Sequence, residues 1–163
     1  MDMNRYTQKS LEAIRDAQTI AAAHSNQQIE QAHLLLALLR QEGGLIPQLL
    51  KKMGVSVESL DAAANAAVER LPGVTGAGRD ADQYYISRGM DALLAAADES
   101  AKSMRDDYIS VEHLFLAMLD KAENRCPFSI EIEFTAAGPK DLAEVNQAVL
   151  DSARYLKEHG FVL

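Results

Sequence analysis

Residues 32–44 read AHLLLALLRQEGG, and eighty positions later residues 112–124 read EHLFLAMLDKAEN. Each is an apolar helical stretch with a histidine near its start. Laying residues 17–39 on 97–119 at that single shift gives identity at eight of twenty-three positions: Ala17/Ala97, Ala21/Ala101, Ile29/Ile109, His33/His113, Leu34/Leu114, Leu36/Leu116, Ala37/Ala117 and Leu39/Leu119. Helices rich in Ala and Leu would share about two by chance, so one fixed shift points to a duplicated unit. The matched His and Ile, both at loop-to-helix junctions, are the pairs that shared composition does not explain.

Working outward, Thr7 is placed to cap a helix running to about Ser25, with Leu11, Ile14, Ala17 and Ala21 on one face. A second helix covers Gln31 to Arg40 and breaks at Gly43–Gly44. A third runs from Leu45 to Met53, with Pro47 tolerated in its first turn, and Gly54 ends it. Ser56 caps a fourth through Arg70, with Leu60, Ala63, Ala64, Ala67 and Val68 inward. The stretch LPGVTGAGRD (71–80) has no periodicity and reads as a linker within the domain. The pattern then restarts. Ser87 caps a helix through Ser103 whose stripe is Met90, Leu93, Leu94, Ala97, Ala101 and Met104, and Ser110 caps the next, with Leu114, Phe115, Met118 and Leu119 apolar. The last 38 residues differ: CPFSIEIEFTAAG (126–138) alternates like a strand, and Pro139 starts a helix to about His159 before the terminal FVL.

Composition bounds the function. The 163 residues carry 48% apolar and 25% charged side chains, which suits a soluble globule with its own core. A net charge of −8 repels a phosphate backbone, and the nearest basic cluster, Lys51–Lys52, lies at a helix end where it complements the dipole, so nucleic acid is not an expected partner. No stretch approaches a membrane span, the N-terminal MDMNRYTQKS has no apolar signal region, and lone Cys126 forms no internal disulfide. A cytoplasmic location without membrane contact is the expectation.

Residues 1–125 resemble the N-terminal domain of Clp-type unfoldases, and most closely that of ClpB-type disaggregases. The resemblance rests on RYTQKSLEAIRDAQTIAAAHSNQQIEQAHLLLALLRQEGG for the first repeat, LPGVTGAG for the loop between repeats, and YISVEHLFLAML for the start of the second. It implies a mainly α fold, a pseudo-twofold pair of four-helix repeats: repeat one over 1–71, a linker over 72–84, and an incomplete repeat two over 85–125. Residues 126–163 depart from the family as a strand–helix tail in place of the last helices of repeat two. GPKDLAEVNQAVL loosely echoes GVSVESLDAAANAAV, so the tail either substitutes for the fourth helix or is sequence foreign to the family.

The resemblance also implies a function. Such a module captures exposed apolar segments of unfolded or aggregated polypeptides for an AAA-type ATPase motor, and the family's substrate contacts map onto Thr7, Asp106 and Glu112 at the rim of a groove between repeats, with Leu94 in its floor. The alternative is a docking domain for an adaptor protein without client binding. The motor's phosphate loop is not here, since no GxxxxGK[ST] occurs in the chain, so ATP hydrolysis is not expected of it. The counterpart of Glu112 in repeat one is Ala32, which argues against the twofold recognition of arginine-type ligands by relatives with an acid in each repeat.

Other chemistry is weakly supported. Asp106, Asp107 and Glu112 cluster at one helix start, where a solvated loop with Glu112 favoured by the helix dipole explains them better than acid–base catalysis. His33 and His113 have no His or Cys at i+3 or i+4, so each is expected to satisfy a backbone group at its helix start rather than ligate metal. GxSxG is absent. No cofactor, metal or catalytic residue is expected. Met90 belongs in the core, whereas Tyr84, Tyr85, Met104 and Tyr108 either fill the core or line an exposed groove, and Tyr108 joins the substrate contacts on the second alternative.

Overall fold

The computed structural model describes residues 2–74 and 85–120, together with 147 and 151. A 3-10 turn at Met3–Arg5 leads into helix α1 (Gln8–Ala23), strand β1 (Gln28–Ile29) and helices α2 (Gln31–Arg40), α3 (Leu45–Lys52) and α4 (Val57–Glu69). Strand β2 (Tyr85–Ile86), α5 (Arg88–Ser103) and α6 (Val111–Asp120) follow. The expected helix starts and ends hold to within two residues. The strand and helix expected over 126–159, and Tyr84, lie outside the described residues apart from 147 and 151.

Hydroxyl caps fix the two long helices. Thr7 Oγ1 accepts from the Ser10 amide at 3.2 Å, and eighty residues on Ser87 Oγ accepts from the Met90 amide at 3.1 Å. Both helices also end alike. Ser25 and Arg105 take left-handed backbone conformations (φ 58° and 61°), so the Asn26 amide donates to Ala21 O and the Asp106 amide to Ala101 O, each at 2.9 Å. Gly43 and Gly54, both at positive φ, close α2 and α3.

At the centre lie α2 and α6. Gln31–Leu39 of α2 and Val111–Leu119 of α6 are buried without a break, as expected of a helix apolar on every side. Each long helix packs on the central helix of its own repeat, α1 on α2 and α5 on α6, and α1 and α3 also touch α6. The inward line of α1 is Ser10, Ala13, Ala17 and Ala21, whereas Leu11 and Ile14 pack only at its margin. Small side chains take the centre because the leucine-rich surface of α2 leaves no room for larger ones. Met90 is buried as expected, but Met104 is the C-cap of α5 and 36% exposed, at the point where the stripe runs out.

Two short parallel pairings join the repeats. β1 and β2 pair in the register Gln28–Tyr85 and Ile29–Ile86, and Tyr6 pairs with Ile109. Shifting Ile29–Ile86 by eighty in opposite senses yields Ile109–Tyr6, so each repeat supplies to the other the pairing it receives. That exchange is the pseudo-twofold relation in atomic terms.

Candidate functional site

The paired histidines anchor the site's geometry. His33 Nδ1 accepts from the Glu30 amide at 2.9 Å, and His113 Nδ1 accepts from the Ser110 amide at 2.9 Å. A backbone amide can only donate, so the remaining proton of each neutral ring sits on Nε2. That nitrogen donates to Asn26 Oδ1 at 2.9 Å in repeat one and to Asp106 Oδ2 at 2.8 Å in repeat two. Each histidine satisfies a backbone amide at its helix start, the role expected for it, and in addition ties that start to the end of the preceding long helix.

The repeats differ where the charge sits. Asn26 and Ala32 of repeat one are Asp106 and Glu112 of repeat two, so the corresponding clamp has two carboxylates at it. A candidate ligand atom from each of Asp106, Glu112 and His113 lies within 4.8 Å of the others. The sequence placed Asp106 and Glu112 at one helix start, but that His113 joins them escaped it, because spacing along one helix was the criterion for a histidine ligand. This cluster does not fit a metal: with Nδ1 facing an N–H and Nε2 protonated, the imidazole has no lone pair to offer. Around His33 the electrostatics are those of burial. Its ring is held down to about pKa 4, chiefly by desolvation and secondarily by His24.

A groove of about 500 Å³ opens beside this clamp's repeat. It is lined by Asp2, Arg5 and Tyr6 of the N-terminal segment, by Ile86 and Ile109 of the two pairings, and by α5 through Asp91, Leu94, Ala95, Asp98 and Lys102. Asp98 accepts from Arg5 and from Lys102, at 2.8 and 2.7 Å, and its carboxyl is held below the usual range, first by Lys102.

The expected contact residues divide between these two places. Leu94 lines the groove. Thr7 caps α1, is half-buried, and donates its amide to Ile109 O at 3.0 Å, next to the Tyr6 lining. Tyr108, 56% exposed, precedes the Ile109 lining. Asp106 belongs to the histidine clamp with its side chain 39% exposed. Glu112 is 4% exposed, which corrects both the solvated reading and an open rim position: α6 is buried around its whole circumference, first turn included. The structure brings Asp106 and Glu112 together and sets Leu94 in the groove, and the groove lining includes neither carboxylate. Sequence reasoning missed Arg5, Tyr6, Ile86, Asp91 and Asp98, though the eighty-residue shift relating Tyr6 to Ile86 was a signal for two of them.

Chaperone protein ClpB of Bacillus cereus is 40% identical over 121 residues, which is 74% of this chain and 14% of that protein. ClpB of Nitratidesulfovibrio vulgaris is 35% identical over 142 residues, 87% of this chain and 16% of that protein. The chain therefore spans only a small fraction of the length of these curated relatives. Its fold is similar to the Hsp104 N-terminal domain from Candida albicans (TM-score 0.71, 19% identity, 90% of this chain and 89% of that one) and to the N-terminal domain of ClpD from Arabidopsis thaliana (TM-score 0.63, 18% identity, 94% and 97%). Among the described residues no helix is long and apolar enough to cross a membrane. The Clp repeat (R) N-terminal domain matches residues 5–126, three quarters of the sequence, and the chain belongs to that family.

Proposed function

We propose that this chain is the substrate-binding module of a ClpB-like disaggregase, capturing exposed apolar segments of unfolded or aggregated proteins for an ATPase motor. The groove carries this reading: an apolar floor of Leu94, Ala95, Tyr6 and Ile109 lies between the repeats, with Ile86 40% exposed beside it and Tyr108 nearby. Thr7 and Tyr108 adjoin groove-lining residues, and Asp2 and Asp91 in the lining, with the partly exposed Asp106, supply negative potential that favours clients bearing Lys or Arg beside apolar residues. Covering the exposed apolar surface of groove and client, at about 25 cal/mol per Å², gives a few kcal/mol gross. Association and ordering costs remove most of that, which leaves weak binding suited to release toward a motor.

The test is selectivity. Fluorescence anisotropy should show several unrelated, permanently unfolded polypeptides binding with similar micromolar-range affinity while their folded forms do not bind. One folded protein bound more tightly than every unfolded chain would instead establish an adaptor-docking domain.

A further inference from the structure

Both pairings that join the repeats are unfinished on the groove side. In the β1–β2 ladder the Tyr85 amide donates to Gln27 O and the Ser87 amide donates to Ile29 O. Successive backbone groups along a strand face opposite edges, so the N–H and C=O of Ile86 face away from β1. Among the described residues neither has a hydrogen-bond partner. The second pairing repeats this. Arg5 C=O accepts from the Ile109 amide and the Thr7 amide donates to Ile109 O, so the Tyr6 carbonyl faces the other way and has no partner among the described residues. Ile86 and Tyr6 line the same groove. So does Arg5, whose buried Nε–H is also without an acceptor there. One groove thus holds, at main-chain positions, one open donor (Ile86 N–H) and two open acceptors (the Ile86 and Tyr6 carbonyls), together with an orphaned guanidinium donor.

We infer that the groove takes its client as an added strand: an extended polypeptide segment of alternating apolar and basic residues pairs its backbone with the open edges at Ile86 and Tyr6. This rests on the capture reading and specifies its chemistry. A helix has already spent its backbone groups internally and cannot satisfy these edges, whereas an unfolded segment brings free amides and carbonyls. Main-chain pairing also tolerates many sequences, as a client groove requires. The charge is complementary. Arg5 and Lys102 are both held by Asp98, while among the described residues Asp91 makes no ion pair and the Asp2 carboxylate accepts only from the Asn4 amide. A lysine or arginine of the incoming strand has two carboxylates to meet, and its apolar neighbours meet Leu94 and Tyr6.

The test uses the full chain and a short, end-blocked peptide of alternating leucine and lysine. Two further versions are N-methylated on alternate residues, one in each register, which keeps the side chains and removes the amide donors of one edge. Affinity is read from the Leu94 methyl resonances, and pairing from hydrogen exchange of the Ile86 amide. The expected result is that saturating peptide slows Ile86 exchange at least about tenfold, and that one methylated register binds at least about tenfold more weakly. Leu94 shifts with unchanged Ile86 exchange and equal affinity for all three peptides would overturn strand addition while leaving capture standing. No Leu94 shift with any peptide would remove both.

Discussion

Acidification isolates the buried histidine of repeat one. His33 is fully buried, and its Nδ1 faces the Glu30 amide, so a proton added there sets two donors against each other. Burial holds the folded ring to about pKa 4, against about 6.5 for an exposed histidine. The folded value is the lower one, so between about pH 6.5 and 4 the unfolded chain binds more protons. Stability contributed by the neutral ring is complete above about pH 6.5 and is lost as pH falls toward 4. At about 1.4 kcal/mol per pH unit the gap is worth about 3 kcal/mol, a large share of a domain's stability. Urea unfolding between about pH 7.5 and 4.5 should show this loss in the native chain and a smaller one in His33→Gln, the difference separating His33 from the carboxylates. Ring resonances give the direct check. Asn26→Asp, which sets a carboxylate opposite Nε2, should raise the His33 titration. A His33 ring titrating near pH 6.5 in the folded chain would refute the reasoning.

Three other perturbations follow from particular contacts. Arg105→Gly relieves a left-handed arginine at the end of α5 and should stabilise the fold by roughly 0.5–1 kcal/mol in urea unfolding, with the Asp106–His113 contact intact in NMR spectra. Ser87→Ala removes the cap of α5 and should cost about 1 kcal/mol, seen as a lower urea midpoint at an unchanged slope. Gly44→Ala sets a methyl 2.9 Å from the Gln41 carbonyl oxygen, and differential scanning calorimetry should show a loss of roughly 1–3 kcal/mol.

Much of the fold could be read from the sequence because its signals are local. Thr7, Ser56 and Ser87 mark helix starts by hydroxyl chemistry, Gly43 and Gly54 mark breaks by backbone freedom, and one eighty-residue shift exposes the duplication. What stayed hidden depends on contacts between distant segments. Two-residue strands such as Gln28–Ile29 are too short for alternation to register, and their partners lie over fifty residues away. Arg5 meets Asp98 only because the repeats are packed together. Burial of Glu112 was invisible because a charged residue in a first helical turn ordinarily stays in water, and only packing around all of α6 encloses it.

Client capture at the seam between repeats is the central claim, and an NMR titration of isotope-labelled full chain tests it most directly. The titrant is a permanently unfolded client in one series and the same protein folded in another. Capture predicts shifts on Thr7, Leu94, Asp106 and Tyr108 with the unfolded form alone, continuous with shifts on Tyr6, Ile86 and Ile109. An unfolded client that leaves these residues unmoved, or a folded one that moves them equally, would contradict it.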